Sequence, residues 1–319
     1  MENKKTTKKT ATSVAVAIDS DNQYAASYLK TGATRGMVYQ VKLLTWIAWK
    51  LMCQKDVRIS NWWLATEVRN ALGFHDLVLK YAINDIKGDG SISDKKYVYR
   101  FMQIKHKRSL TKNSNITRCH LLSQNKLHRQ GSLIYLFKAY INLLDHFKEI
   151  TPDQILDLTI FTNMNIEAFN FLVPVDNDGL YGFEGKGKRY RIDINALKKV
   201  PRIMVCLYNI KEDDDIIIGF LRKLVFMVCQ PSEHELEELI VADMGETFNT
   251  PQIFYDNLYK NMINWFLIYD AGKAPYLTKD LVKKHLKKTE AVMKEVKNTE
   301  IFVDCPVLNL SDELKLLSL

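Results

Sequence analysis

The stretch at residues 97–105, YVYRFMQIK, decides the fold that this sequence predicts. Apolar and polar side chains alternate along it, and a period of two is typical of a half-buried β-strand. Side chains two positions apart lie on the same face of a strand, so Gln103 and Lys105 point to one side near its end. Two polar groups placed together at a strand end form a candidate site if neighbouring elements bring further polar groups to them.

The elements before this strand supply such groups. Residues 76–83, DLVLKYAI, predict an apolar strand that starts at Asp76. Residues 57–69, VRISNWWLATEVR, have the β-branched and aromatic composition of another strand, which carries Glu67. Residues 38–51 place apolar side chains three and four positions apart, which predicts an amphipathic helix. The order indicates a helix followed by an antiparallel meander of three strands.

Further elements follow the meander. Residues 132–147 predict a helix, and residues 158–162, LTIFT, predict a fourth strand. Residues 216–228 form one long buried run, and helices are predicted from residue 232, over 257–269 and over 278–297. The predicted fold class is α/β, with a core of helix, three-stranded meander, helix and strand. We expect a disordered basic tail at residues 1–30, a folded domain at residues 31–170, and a mainly α-helical region with a few strands at residues 171–319.

The composition limits the class of protein. The chain has 319 residues, of which 47% are hydrophobic and 26% charged, and these values exclude a largely disordered or collagen-like protein. No run of about 18 apolar residues occurs, so the sequence predicts no membrane-spanning helix and no membrane partner. The lysine-rich N-terminus lacks the apolar stretch of a secretory signal. Five scattered cysteines without a CxxC pair are typical of reduced thiols, so we expect an intracellular protein, cytoplasmic or nuclear.

The positive charge is concentrated in one segment. Residues 95–129 contain ten Lys and Arg residues and no Asp or Glu. The positive charge of this segment exceeds the formal net charge of +8 of the whole chain. Residues 209–248 carry ten acidic and three basic residues. A basic stretch without carboxylates suits a polyanion, because neutralising phosphates releases counterions; a solvated lysine face is the alternative. The candidate nucleic-acid contacts are Lys107, Arg108, Lys112 and Arg118, with His106 beside them.

Asp76, Gln103 and Lys105 become neighbours if the second and third strands pair. Carboxylate and amide oxygens are the ligands that Mg²⁺ prefers, and Mn²⁺ accepts similar ligands. A lysine next to such an ion can orient water or stabilise the charge that develops on a phosphate. The sequence has no GxxxxGK[ST], HExxH or GxSxG motif, which disfavours P-loop ATPases, zinc proteases and α/β-hydrolases.

This arrangement resembles the PD-(D/E)xK nuclease superfamily, in which Gln can replace the second acid. A longer pattern makes the resemblance more specific and consists of Gly36-x-x-Tyr39-Gln40, Phe74-His75-Asp76-Leu77-Val78 and Gln103-x-Lys105-His106-Lys107. It is similar to the nuclease modules of bacterial anti-phage effectors and of related arthropod proteins, over about residues 33–165. Residues 200–300 are similar, less specifically, to the helical region that follows the module in the arthropod proteins.

The resemblance implies a restriction-endonuclease-like core and a metal-dependent endonuclease with a role in defence, which acts on DNA rather than RNA. It implies Asp76 as the main metal ligand, Gln103 as the second ligand, Glu67 as an accessory ligand on the first strand, and Lys105 as the catalytic lysine. Tyr39 and Gln40 would line the site from the helix. The C-terminal helical region is the expected surface for a protein partner or a second copy of the chain.

One position departs from the family pattern. His75 stands where relatives often carry the first acid of an Asp-Asp pair, and Gln103 is neutral. The charged ligands therefore reduce to Asp76 and Glu67. Two functions remain open: a metal-dependent nuclease, and a catalytically inactive nuclease-fold module that binds nucleic acid or protein partners.

Overall fold

The computed structural model describes residues 33–86, 92–107, 110, 114–123, 131–175, 183, 185–269 and 274–298. The predicted tail at residues 1–30 lies outside them. The described part of the chain is a mixed α/β protein in which helices pack on a central sheet of parallel and antiparallel strands. Among its helices, none has both the length and the apolar character needed to cross a membrane.

The helices within the described residues are α1 Ala33–Cys53, α2 Arg118–Leu122, α3 Leu133–His146, α4 Ile194–Lys198, α5 Pro201–Tyr208, α6 Asp214–Lys223, α7 Glu233–Gly245, α8 Pro251–Phe266 and α9 Lys279–Asn298. Side-chain caps define several of their starts. The hydroxyl of Ser132 accepts a hydrogen bond from the N–H of Tyr135 at α3, and Ser232 and Glu235 form a capping box at α7. Such caps satisfy N–H groups that have no partner within the helix.

The strands are β1 Ile59–Ala65, β2 Leu77–Ile86, β3 Ile92–Lys105, β4 Asn115–Ile116, β5 Ile155–Thr162, β6 Asn165–Ile166, β7 Leu172–Pro174, β8 Lys188–Ile192, β9 Leu224–Val228 and β10 Leu277–Thr278. In the described residues, eight of them form one sheet in the order β10-β1-β2-β3-β5-β9-β8-β7. β1, β2 and β3 form the predicted antiparallel meander. β3, β5 and β9 are parallel to one another, so their carboxyl ends meet at one edge of the sheet.

The two faces of the sheet are covered by different helices. α1, α7 and α8 contribute to one hydrophobic core, and α3, α5 and α6 contribute to the other. Neighbouring residues of β3 belong to different cores, since Phe101 packs with α3 and Met102 packs with α1. This follows from the alternation of side chains along a strand. Gln103 and Lys105 alternate with Met102 and Ile104, so they lie on the face that α3 covers.

The strands after residue 170 do not form a separate structure. β7, β8, β9 and β10 belong to the same sheet as the meander, with β9 beside β5 and β10 beside β1. Six of the described helices, α4 to α9, also lie in this part of the chain. The sequence alone did not place these strands, because the partner of a short strand is set by contacts between residues far apart in the chain.

The predicted buried run at residues 216–228 is two elements. α6 ends at Lys223, and β9 begins at the next residue. Ile217, Phe220 and Leu221 are buried in α6 at helical spacing, whereas every residue of β9 is buried. A short apolar run by itself does not distinguish a buried helix from a buried strand, which explains why a single run was predicted here.

A buried ion pair joins β3 to β5. Nε of Arg100 lies 2.9 Å from Oδ2 of Asp157, and the side chains are 3% and 7% exposed. Arg100 also donates to the carbonyl oxygen of Phe183 at 2.9 Å, and the Thr159 hydroxyl donates to Asp157 Oδ1 at 2.7 Å. Buried charged groups need several hydrogen-bond and ion-pair partners of this kind, because each group has lost its hydration.

Removing one partner of this pair should therefore destabilise the protein strongly. We expect Asp157→Ala to lower the free energy of unfolding by about 3–5 kcal/mol, since it leaves the Arg100 charge buried without its carboxylate. Arg58→Ala, which breaks the exposed pair with Asp56, should cost no more than about 1 kcal/mol. Urea unfolding followed by circular dichroism measures both. Equal effects of the two substitutions would contradict the burial of the Arg100–Asp157 pair.

Candidate metal and phosphate site

The candidate site lies where α1, the loop after β1, the start of β2 and the end of β3 meet. We call Glu67, His75 and Asp76 the Asp76 cluster. One possible ligand atom from each of these residues lies within 4.8 Å of the other two. These side chains come from two points of the chain separated by a loop, so the conformation of that loop decides whether the cluster forms.

The loop between Glu67 and Asp76 is held closed by its backbone. The N–H of Val68 donates to the carbonyl oxygen of His75 at 3.1 Å. Glu67 has φ of 50° and Gly73 has φ of 72°, both in the left-handed region. A left-handed residue cannot continue a strand, which explains why β1 ends at Ala65 and does not run to residue 69. Glu67 is therefore on the loop after the first strand, not on the strand as the family resemblance implied.

Asp76 is fixed by contacts on both carboxylate oxygens. Oδ2 accepts a hydrogen bond from the backbone N–H of Ile104 at 2.6 Å, and Oδ1 lies 3.2 Å from Nε2 of His75. Burial raises the pKa of Asp76 above its ordinary value, although the Ile104 N–H and His75 act in the opposite direction. A half-buried carboxylate held in this way is suited to bind a cation, since a cation compensates for the lost hydration.

Gln40 ties the helix to the cluster. Its Nε2 donates to Oε1 of Glu67 at 3.0 Å and to the backbone oxygen of Asp76 at 2.8 Å. The structure thus brings Gln40, a predicted lining residue, into contact with Glu67 and Asp76. Because Gln40 holds Glu67 and Asp76 together, it is a positioning group for the carboxylates.

Gln103 is the buried polar residue of the site. Its side chain is 4% exposed, and its Oε1 has no hydrogen-bond partner among the residues that the structure describes. The antiparallel register pairs Leu77 with Met102, so one step further Gln103 lies across from Asp76. A buried amide oxygen without a partner costs about 1–3 kcal/mol, and a bound cation would remove this cost.

Lys105 ends β3 on the same face as Gln103. It is partly buried, and burial lowers the pKa of its ammonium group, while the carboxylate of Asp76 raises it. The two groups are therefore close enough to interact electrostatically. In the described residues Lys105 makes no ion pair within 4.0 Å.

His75 belongs to the cluster, although the sequence marked it only as a departure from the family pattern. Its Nε2 lies 3.2 Å from Asp76 Oδ1 and 3.7 Å from Glu67 Oε2. Alternation along a strand would point neighbours such as His75 and Asp76 to opposite faces. Both residues precede β2, however, and the bend at Asp76 allows their side chains to point together. No signal in the sequence gives this geometry.

The residues nominated for phosphate contact have different environments. Lys107 and Arg118 are exposed, and Arg108 and Lys112 lie outside the described residues. His106 stacks on Tyr39 with ring centroids 4.1 Å apart, and burial lowers its pKa. Its Nε2 is buried and has no hydrogen-bond partner in the part of the chain that is described. His106 is thus packed against the helix, and its contact with a phosphate stays a prediction.

Tyr39 has a packing role. It is fully buried, and its hydroxyl donates to the carbonyl oxygen of Pro231 at 3.0 Å. Tyr39 therefore joins α1 to the segment before α7 and supports His106, and it does not present its hydroxyl to the Asp76 cluster as the predicted lining residue would.

Asn163, which follows β5, holds the chain after β3. Its Oδ1 accepts from the N–H of Lys107 at 2.8 Å, and its Nδ2 donates to the oxygen of Lys107 at 2.7 Å. These two bonds fix the course of residues 105–107 beside the site.

Comparisons with family models, curated proteins and solved structures give a distant structural similarity. No family model matches the chain, and no curated protein matches it. Among solved structures, the Cap4 SAVED/CARF-domain containing receptor of Moraxella osloensis is similar at a TM-score of 0.36 and 8% sequence identity, over 81% of this chain and 48% of that chain. This chain spans about half the length of that receptor, and a likeness at this level does not establish a common fold.

Gly73 provides a test of the loop that forms the cluster. A Cβ on Gly73 would lie 2.9 Å from Ala139 Cβ and from Tyr135 Cε1, at a φ of 72°. We expect Gly73→Ala to lower the free energy of unfolding by at least about 1–2 kcal/mol, from the left-handed backbone alone. Gly36→Ala is the matched control, because a Cβ on Gly36 would have no neighbour within 4 Å among the described residues. Alanine is more stable than glycine within a helix by about 0.5–1 kcal/mol, so Gly36→Ala should not destabilise the protein. Chemical unfolding of both variants measures this, and a Gly73→Ala protein as stable as the wild type would contradict the loop geometry.

Proposed function

We propose that this protein is a metal-dependent nuclease of the PD-(D/E)xK type, which hydrolyses phosphodiester bonds, most directly those of DNA. The observation that carries the proposal is the convergence of Glu67, His75 and Asp76 on one point, with Lys105 close enough to Asp76 to interact electrostatically. Gln103 lies across from Asp76 in the register of β2 and β3. The order of α1, the β1–β3 meander, α3 and β5 is the one that a restriction-endonuclease-like core requires, and this order supports the proposal.

The side chains fit a divalent cation. Asp76 and Glu67 offer carboxylate oxygens, and Gln103 offers an amide oxygen that lacks another partner among the described residues. Oxygen ligands are typical of Mg²⁺ and Mn²⁺, whereas imidazole is more common on other transition metals. His75 is therefore better suited to orient Asp76 and Glu67 than to bind Mg²⁺ directly. A bound cation would supply Lewis-acid polarisation of the phosphate and a more acidic water.

Lys105 has the role of stabilising negative charge at the phosphate. Its ammonium group is partly desolvated and lies beside Asp76, where an electrostatic interaction is stronger than in water. The hydrogen bond from Ile104 to Asp76 and the bonds from Gln40 keep the carboxylates in place. Preorganisation of this kind contributes to catalysis, because no groups have to move as charge develops.

The basic segment that follows the site supports a nucleic-acid substrate. Lys107 and Arg118 are exposed and come shortly after Lys105 in the chain. Exposed cations of this kind suit contacts to backbone phosphates, and such contacts position a strand without reading its sequence.

The alternative function, a catalytically inactive module that binds nucleic acid, is favoured by one observation. Nε2 of His75 lies within 4.0 Å of both Asp76 and Glu67, so the imidazole competes with a metal ion for the two carboxylates. In that case the fold and the basic segment would be kept without hydrolysis, since fold does not determine function.

Plasmid cleavage distinguishes the two functions. We expect the wild-type protein to cut plasmid DNA in Mg²⁺ or Mn²⁺, and Asp76→Asn and Lys105→Ala to lower the rate by about 10²–10³-fold, the usual effect of removing one transition-state contact. Gel electrophoresis of timed samples measures the rates.

Asp145→Asn and Lys148→Ala are the matched controls for this assay. Both residues are exposed and lie at the end of α3, near the start of β5 and thus at the opposite edge of the sheet from Lys105. They should cut as the wild type does. A wild-type protein that binds DNA but leaves it intact with either metal would favour the inactive module, and cleavage that persists in both site variants would show that the site is elsewhere.

Lys107 provides a separate test of the nucleic-acid surface. We expect Lys107→Ala to weaken DNA binding to a similar extent for different sequences, and to reduce the slope of log K against log salt concentration by about one, because one phosphate contact is lost. Fluorescence anisotropy with a labelled duplex in EDTA measures this without cleavage. Lys148→Ala should keep the wild-type slope, and an unchanged slope in Lys107→Ala would exclude Lys107 from the interface.

A further inference from the structure

A cavity of about 700 Å³ lies at the carboxyl ends of the parallel strands. It is lined by Asn163, which follows β5, by Cys229 and Gln230, which follow β9, and by one side of α7. We call it the strand-end cavity. Its volume is within the range of about 300–1,000 Å³ that is usual for ligand sites, and ligands of open α/β sheets bind outside the carboxyl ends of the strands.

The strand-end cavity is distinct from the Asp76 cluster but connected to it. None of Glu67, His75, Asp76, Gln103 and Lys105 is among the described residues that line it. Asn163 forms part of its wall and holds both backbone groups of Lys107. Residues 105–107 thus lead from the site to the cavity, and two residues of extended chain span no more than about 7 Å.

The lining favours a neutral ring with hydrogen-bonding edges over a phosphate. Pro231, Leu239 and Ala242 give an apolar wall, and the cavity also has an amide-rich wall formed by Asn115, Asn163, Asn165 and Gln230. Two acidic residues of α7, Glu235 and Glu238, also line the cavity. Among the described lining residues, Lys186 is the single basic one. Carboxylates repel phosphate, whereas Asn and Gln amides pair with the donors and acceptors on base edges.

Two of these amides have structural partners, and two are placed for a ligand. Gln230 accepts from the N–H of Lys186 and donates to the oxygen of Val228, and Asn163 holds Lys107. The side chain of Asn115 makes no hydrogen bond with the described residues, and Asn165 accepts one bond at its Oδ1, from the thiol of Cys229 at 3.3 Å. The amide of Asn115 and the amide nitrogen of Asn165 therefore have hydrogen-bonding capacity for a ligand.

Cys229 gives the cavity a strained backbone. Its φ is 53°, in the left-handed region that residues other than Gly rarely adopt. Strain of this kind is concentrated at functional sites. The thiol is exposed at the cavity, so it also reports on what occupies the cavity.

We propose that the strand-end cavity binds a nucleobase, namely the unpaired base of the nucleotide next to the phosphodiester bond held at the Asp76 cluster. This inference rests on the proposed nuclease function. The protein would then act on single strands or on bases taken out of the stack, with the base against the apolar wall of α7 and its edge on Asn115 and Asn165. A free nucleoside offers the same chemistry, and the experiment separates the two sources.

Protection of Cys229 from alkylation tests the proposal without cleavage. The wild-type protein is treated with N-ethylmaleimide in EDTA, and mass spectrometry of the peptides gives the rates at Cys229 and at Cys53, which is exposed at the end of α1 and serves as the internal control. The reaction is repeated with a saturating thymidine oligonucleotide, with an abasic strand of the same length, and with free thymidine and deoxyadenosine.

We expect the thymidine oligonucleotide to slow alkylation of Cys229 about tenfold, a factor within the range for one base contact. The abasic strand should have no such effect, and Cys53 should react equally throughout. Equal protection by both strands, or protection by neither strand nor nucleoside, would overturn the proposal. Protection by free nucleosides alone would overturn the assignment to the substrate strand and leave a nucleoside site.

A variant that fills the cavity gives a second measurement. Ala242 is exposed on α7 and lines the cavity, and Ala291 is exposed on α9 away from it. We expect Ala242→Trp to weaken binding of the thymidine oligonucleotide about tenfold, to the affinity of the abasic strand, while Ala291→Trp binds as the wild type does. Equal affinities of the two variants would contradict the base site. A protein that cuts plasmid DNA yet shows no base-dependent protection keeps the nuclease function and loses this site.

Discussion

The hydrogen bond from the N–H of Ile104 to the carboxylate of Asp76 is the contact on which the site depends. It joins the start of β2 to the end of β3, so the meander and the candidate metal ligands are fixed by the same interaction. Bonds between a backbone N–H and a carboxylate are stronger than those between neutral groups. Gln40 and the left-handed Glu67 then bring the second carboxylate to Asp76.

The direction of the strands explains why two sites occur along one edge. β3, β5 and β9 are parallel, so the residues that follow them, Lys107, Asn163 and Cys229, come together where the strands end. Polar groups can be placed here because the backbone leaves the sheet and the side chains no longer alternate between two packed cores. Residues 105–107 lead from the Asp76 cluster toward the strand-end cavity, and Asn163, which lines that cavity, holds Lys107 in place.

Local patterns predicted the elements well where their period was unambiguous. The alternation at residues 97–105 gave the strand that ends at Lys105, and the three- and four-residue spacing before it gave α1. The buried run at residues 216–228 was predicted less well, because a short apolar segment suits either α6 or β9. β1 was predicted too long, because the prediction included Glu67, which lies on the loop after the strand. A left-handed residue that is not Gly or Asn leaves no clear signal in the sequence.

The sequence by itself determined the mixed α/β class, the meander, and the alignment of Gln103 with Lys105, because these follow from local periodicity and from the geometry of one strand. The tertiary structure alone decided that β9 lies beside β5, that His75 joins Glu67 and Asp76, and that Asn163 connects the site to a cavity under α7. These contacts join residues far apart in the chain or depend on the conformation of a loop. Their geometry is set by packing across the sheet, which no local pattern specifies.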